Sequence, residues 1–314
     1  MTITSISSPR VVAGADKAQR AGERRTGWLL LTPAFVLMNA VGFFPMVYSL
    51  YISLTDYNPT HGGGSRFVWL KNYANALLDI QFWHSLGLTL AFVTLSVGTS
   101  LVLAVLLSLL FNLRYPGFFL LRTIILIPML ITPIAVGIVW RIMMMPDLGV
   151  LNYLLTLVGL QPLLWTSSST TALLSVVLVD IWQWTPFMFL IVFAGISSLP
   201  RSPFEAAAID GAGPIRVFFS ITLPLLKPVI VIATLLRIVD AFRTYDTTFI
   251  MTRGGPDFAT DLVSVYLQRI NFRFFDLGYG AALSWITLLI VTMIILIFTK
   301  LSGFTRLISE KENR

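Results

Sequence analysis

The sequence predicts an all-α, polytopic membrane protein with six transmembrane helices, and three observations carry that prediction. The 314 residues are 56% hydrophobic and 12% charged, with a mean hydropathy of +0.82. A soluble domain has about 45–50% apolar and about 25% charged residues. Six stretches hold the roughly 20 mainly apolar residues that a spanning helix needs: 28–54, 86–111, 119–141, 170–197, 222–251 and 281–301. Lys and Arg gather in alternate connections between these stretches, which is a topology signal. The formal net charge of +7 therefore does not read as a nucleic-acid-binding surface.

Residues 1–26 are polar and lack apolar periodicity, and they read as a cytoplasmic tail. A basic region before an apolar one also suits a signal peptide. The run that starts at Trp28 is far longer than the roughly 7–15-residue core of such a peptide, so it reads as an uncleaved first span. Pro33, Pro45, Pro128, Pro133 and Pro186 lie within spans. Neighbouring helices can re-satisfy the backbone groups that proline frees, so kinked helices packed around something are expected. The stretch "FVWLKNYANALLDIQFW" (67–83) mixes aromatic and polar residues as an interfacial helix does. "TRGGPDFATD" (252–261) reads as a turn, with Gly254 and Gly255 free to take positive φ and Pro256 stopping the helix. A six-helix domain over 27–303 and a short cytoplasmic tail over 304–314 complete the division.

Orientation follows from the basic residues. Arg10, Lys17, Arg20, Arg24 and Arg25 precede span one, and Arg114, Arg122, Arg201, Arg216, Lys227, Lys300, Arg306, Lys311 and Arg314 fall on the same side. The other side holds Arg66, Lys71, Arg141, Arg253, Arg269 and Arg273. This bias predicts both termini in the cytoplasm. The absence of cysteine excludes disulfides and thiol catalysis. His61 and His84 lack metal-ligand spacing and read as loop residues, so no metal site is expected. No Ser/His/Asp constellation suggests enzymology in the membrane.

The stretch "SPFEAAAIDGAGPIRVFFSITLPLLKP" (202–228) interrupts the apolar runs on the cytoplasmic side. Ser202 can cap a helix that starts at Pro203, with Glu205 completing a capping box. Gly211 and Gly213 can end it. Pro214 can open a second short helix with an apolar stripe of Ile215, Phe218, Phe219 and Ile221. A well-capped interfacial loop and a docking knob for a soluble partner both fit these residues.

Charges also sit at span depth, where an ionisable group costs roughly 2.5–3.5 kcal/mol on insertion scales and is a functional candidate by default. Asp180, Gln183, Trp184 and Phe187 share one helical face of span four. Arg237, Asp240, Ala241 and Thr244 repeat that spacing on span five, which also carries Arg243 and Asp246. Hydroxyl-bonding groups beside aromatic planes suit a carbohydrate. Equally, Arg237–Asp240 and Arg243–Asp246 are i,i+3 pairs that can neutralise each other locally, and Trp182 and Trp184 suit ordinary packing.

"EAAAIDGAG" followed by "ITLPLLKP" resembles the EAA motif of binding-protein-dependent ATP-binding-cassette importer permeases. Glu205, Ala206, Ala207, Asp210, Gly211, Leu223 and Pro224 match it without gaps. "WQWTPF" (182–187) and "TRGGPD" (252–257) resemble the maltose-type sugar permeases, the F-type subunit in particular. The resemblance implies a type I importer permease fold in a bacterial inner membrane, with about 202–216 as the coupling helix that enters a cleft of the ATPase. It implies a heterodimer with a second related permease, two ATPase subunits and an extracytoplasmic binding protein, all acting on a sugar or polyol and surrounded by lipid. It also implies a substrate site built from Asp180, Gln183, Trp184, Phe187, Arg237, Asp240, Ala241 and Thr244. The chain holds no G-x-x-x-x-G-K-[ST], so no cofactor is expected in it, and ATP with Mg belongs on the partner ATPase.

Two other classes compete. A stand-alone secondary transporter or channel could use the intramembrane Asp and Arg residues, but it gives the 202–228 element no purpose. A membrane scaffold leaves the intramembrane charges unexplained.

Overall fold

The computed structural model describes residues 28–60, 65–113 and 117–303. The expected tails 1–26 and 304–314, together with His61 and Arg114, lie outside the described residues. Five helices are long and apolar enough to span a membrane: α1 (Trp28–Ser53), α3 (Ile80–Asn112), α7 (Ala172–Ser197), α9 (Pro214–Phe242) and α12 (Leu277–Leu301). A bent pair, α4 (Phe118–Leu130) and α5 (Pro133–Met143), passes the same test when its halves are taken together. Shorter helices lie between them: α2 (Lys71–Leu78), α6 (Val150–Leu157), α8 (Ser202–Ile209), α10 (Asp246–Thr252) and α11 (Val263–Gln268).

Span three is not one helix. Its halves are bent by 97°, with Ile131 and Thr132 extended between them (ψ 136° and 140°). Pro133 lacks an N–H and biases the residue before it out of the helical region. The expected single helix over 119–141 therefore breaks one residue before that proline. Span five also ends earlier than the expected 251. The helix stops at Phe242, residues 243–245 leave helical register, and α10 starts at Asp246.

The core lies where α3 packs on α7. Ser96, Ser100, Ala104 and Ser108 line the buried face of α3 one turn apart, and their small side chains let α7 approach. Gly195 does the same between α7 and α9, since a Cβ there would lie 2.8 Å from Val229 Cγ1. By contrast, no side chain of α1 from Trp28 to Ile52 is buried. Only its end is tied down, where Asn72 Nδ2 donates to the Ser53 and Thr55 carbonyls at 2.9 and 2.8 Å.

The outer connection after α10 is fastened to α3 by polar bonds. The expected turn is present, with Gly254 at φ +87° and a cis Gly255–Pro256 bond, but Arg253, Asp257 and Phe258 take left-handed positions and Gly255 does not. Fully buried Asp261 holds Arg269 through two bonds of 2.6 and 3.1 Å and accepts from Gln81 at 2.8 Å and Ser85 at 3.2 Å. Asp79 caps α3 by accepting from the Gln81 and Phe82 amides, and it also accepts from the Tyr266 and Tyr279 hydroxyls. Burial pushes the Asp79 carboxyl up, but the two tyrosine bonds and two amide bonds outweigh it and hold the group below its usual range. Burial, then the bond to Asp79 and its charge, pushes the Tyr266 hydroxyl well up.

Candidate functional site

Two sites emerge from the polar residues singled out in the sequence. The first is a cavity of about 190 Å³ between α5, α7 and the end of α9, lined by Pro133, Trp184, Asp240, Arg243, Thr244, Tyr245, Asp246 and Thr247. The break after Phe242 opens it. With the α9 helix interrupted, residues 243–247 wrap across the cavity mouth instead of continuing upward. Ser264 Oγ donates to the freed Thr244 carbonyl at 2.5 Å, and Thr247 Oγ1 donates to the Pro133 carbonyl at 3.3 Å.

Of the eight residues expected at a substrate site, Trp184, Asp240 and Thr244 stand on this wall. Asp180, Gln183, Arg237 and Ala241 are buried behind it. Phe187 is half-buried, its ring edge-on to Trp184 with centroids 6.4 Å apart. The division follows from α7 and α9 packing against each other, which turns part of each polar face inward rather than toward open space. Gln183 Nε2 donates to the Ile131 carbonyl at 3.1 Å, closing the backbone group that the break in span three leaves free.

Arg237 is the centre of the buried part. It has no exposed surface, yet it reaches three helices. It pairs with Asp180 of α7 and bonds Asp240 of its own helix at 2.8 Å. Ser96 Oγ of α3 lies 3.4 Å away and itself donates to Asp180. The guanidinium carbon sits 5.4 Å from the Trp184 ring centroid, within cation–π range. Its Nε has no partner. Of the two expected i,i+3 pairs, Arg237–Asp240 forms. Arg243 and Asp246 form no ion pair, because Arg243 lies beyond the end of α9 and helical spacing no longer brings the two together.

Ser96, Tyr245 and Thr247 carry no sequence signal of their own. A lone serine on an apolar span reads as small-residue packing. The wall depends on the break of α9 after Phe242, which hydropathy does not signal.

The second site is α8 with its exit. The helix starts at Ser202, no side chain caps it, and Glu205 makes no capping-box bond. The expected box is absent because the N-cap position falls on Arg201, not Ser202. The exit is as expected. Gly211 adopts φ +68°, Ala212 N donates to the Ala207 carbonyl at 2.9 Å, and Gly211 N donates to that of Ala208 at 3.2 Å, a Schellman closure. The expected second short helix is instead the first turns of α9, joined through a π turn at Phe218–Thr222. Glu205, Ala206, Asp210, Gly211 and Pro224 are exposed, Leu223 is half-buried and Ala207 is buried. Ile209, Ile215 and Phe219 stand 88%, 74% and 61% exposed. A second cavity of about 500 Å³ lies under α8, lined in part by Asn112, Phe204, Glu205 and Thr222.

Residues 119–312 match the profile of a family described as binding-protein-dependent transport system inner membrane component. The chain is 39% identical to a probable ABC transporter permease protein, y4oQ, of Sinorhizobium fredii over 94% of each chain. It is 34% identical to the trehalose/maltose transport system permease protein MalF of Thermococcus litoralis, covering 90% of this chain and 96% of that one. Its fold matches a chain of a bacterial alginate ABC transporter solved with an alginate pentasaccharide-bound periplasmic protein. That match has a TM-score of 0.74 and 19% identity and covers 90% of this chain and 96% of the other.

Proposed function

Because the chain belongs to the family of binding-protein-dependent transport system inner membrane components, we propose that it carries a sugar or polyol through the cavity beside Trp184, Asp240 and Thr244. As a transport subunit it leaves ATP hydrolysis to a partner ATPase, and the stand-alone transporter is not the favoured reading. The observation that carries the substrate proposal is the wall itself. The Trp184 indole lies beside Asp240 and Thr244, with Arg243, Tyr245, Asp246 and Thr247 completing a polar lining. That combination offers stacking for a ring face and acceptors for hydroxyls. The trehalose/maltose permease at 34% identity supports the same class.

The cavity is smaller than the roughly 300–1,000 Å³ of a typical ligand site. One half of a site shared with a second, related permease accounts for that. The remaining assembly in this proposal is two ATPase subunits holding ATP and Mg, and an extracytoplasmic binding protein that delivers the sugar. Both termini and α8 lie in the cytoplasm. There the exposed Ile209, Ile215 and Phe219 suit a protein groove, since exposed apolar clusters mark interaction sites. Only Leu199–Arg201 separate α8 from α7 and its C-cap, and α8 runs through Gly211 into α9. Movement of α8 therefore acts on the two helices that hold Trp184 and Asp240. Along α9, Pro214 and Asp240 stand about 39 Å apart. ATP-driven closure of the ATPase pair can thus reach the cavity through rigid elements.

Two measurements test this. Reporters fused after Gly213 and after Pro256 should read as cytoplasmic and periplasmic, and the reverse pattern rejects the orientation. In the reconstituted complex, Gly211→Asp should abolish sugar uptake while the chain stays in the membrane, because a Cβ at φ +68° strains the turn and the carboxylate adds a charge to the exposed knob. Normal uptake by that variant rejects the coupling role of α8.

A further inference from the structure

The cavity wall and the buried charges behind it form one connected unit. Asp240 is the carboxylate that faces both ways. Its Oδ2 is held by Arg237 Nη1 at 2.8 Å, its side chain is 46% exposed, and its Oδ1 has no protein partner. Arg237 is fixed from behind by Asp180 and sits beside Ser96, on two other helices. A guanidinium with five N–H donors in a rigid fork can serve several acceptors at once. Here it serves a buried carboxylate that anchors it and a half-exposed one that it aims.

We infer that Arg237 is a positioning residue that holds Asp240 as a hydroxyl acceptor for the substrate, with Asp180 and Ser96 fixing Arg237 in turn. The proposal rests on the reading of the cavity as the substrate's. It assigns the subsite beside Trp184 to a neutral ring presenting hydroxyl donors. Asp240 accepts from hydroxyl donors, and Arg243 and Asp246 on the same wall offset each other in charge. It also explains why a complete ion pair would not serve. If Asp240 were satisfied at both oxygens, nothing would remain for the substrate. If Arg237 were absent, the carboxylate would have no fixed direction.

A purely structural ion-pair cluster predicts something different. Replacing both members of a buried pair with apolar residues of similar volume is often neutral or stabilising, whereas removing one is costly. The test uses the complete importer reconstituted with its binding protein, with trehalose and maltose as probes. Sugar-stimulated ATP hydrolysis is measured against sugar concentration, and thermal unfolding of the same complex is measured in parallel. Asp180→Leu combined with Arg237→Met should unfold near the wild-type temperature, yet its half-saturating sugar concentration should rise about tenfold, because Asp240 is no longer aimed. Wild-type half-saturation in that double variant overturns the inference. If the double variant does not assemble, Asp240→Asn decides, since Asp240 touches only Arg237 and the cavity. A rise of about tenfold or more, the loss of one hydrogen bond to a charged group, supports the inference, and unchanged half-saturation overturns it. A wild-type complex that responds to neither sugar rejects these neutral substrates, and the inference falls with that reading. A responsive wild type with an indifferent Asp240→Asn variant rejects the inference alone.

Discussion

Among the described residues, two Asp–Arg pairs hold a buried carboxylate, and they are built differently. Asp261 and Arg269 tie the outer connection to α3. Both guanidinium nitrogens bond the carboxylate, Gln81 and Ser85 complete its shell, and Arg269 stacks near the Phe258 and Tyr266 rings, 5.2 and 5.3 Å from their centroids. Asp180 and Arg237 sit in the bundle with a shared cation, an unpartnered Nε and a second carboxylate half open to a cavity. The chemistry of the pair is the same. What separates a fastening from a site is completeness, because a satisfied carboxylate holds structure and an unsatisfied one facing space can hold a ligand.

The sharpest test of that contrast is Arg269→Met. It strands a fully buried carboxylate, so the complex should lose about 3–5 kcal/mol in thermal or denaturant unfolding. The half-saturating sugar concentration of whatever complex survives should not move. A shift in sugar response as large as the loss of stability would erase the distinction between the two pairs.

Trp184→Ala probes the open pair from the cavity side. Loss of the ring removes both a stacking face and the cation–π neighbour of Arg237, together about 1–3 kcal/mol of sugar affinity. The expected result is a roughly tenfold or greater rise in half-saturating sugar in the reconstituted complex. A wild-type sugar response with Trp184→Ala would place the substrate elsewhere, against spans three and six.

Asp79 sharpens the closed region. Its carboxyl is held below the usual range when folded, so its contribution to stability is complete above the ordinary carboxylate pKa and is lost as pH falls through the lower folded value. Asp79→Asn should cost about 1–2 kcal/mol near neutral pH, from the helix cap and the tyrosine bonds. It should also flatten the acid limb of the unfolding profile. An unchanged acid limb would show that other carboxylates govern it. The smallest effect belongs to Gln183→Leu, which leaves the Ile131 carbonyl without a donor. About 1 kcal/mol of stability should go, read by thermal unfolding, with little change in sugar response.

The spans were legible because burial in lipid demands long apolar runs, and α3, α7 and α12 appear where hydropathy places them. The breaks were not. Pro128 and Pro133 signalled a kink, but its 97° size and the partner that closes the freed carbonyl, Gln183 on another helix, are set by packing. Helical spacing correctly joined Arg237 to Asp240 and failed for Arg243 and Asp246, because the rule holds only while the helix continues. Spacing also cannot tell which part of a polar face turns toward space. Asp180 and Trp184 are one turn apart, yet one is sealed in the core and the other lines the cavity. The turn at Gly211 was readable because a positive φ is a local requirement. The capping box was not, since a one-residue shift of the helix start removed it.

The bend in span three also sets what can lie beside it. Laid end to end, α4 and α5 reach about 36 Å, but at nearly a right angle their ends are only about 26 Å apart. A hydrocarbon layer is about 30 Å thick. As one span the pair is shorter than that layer, and such a mismatch is met by thinning the layer or by placing other protein alongside. Leu130, Ile134 and Ile138 turn 74%, 49% and 46% of their surface outward on this flank. The flank thus offers an apolar surface, on a bent and shortened element, to whatever lies beside it.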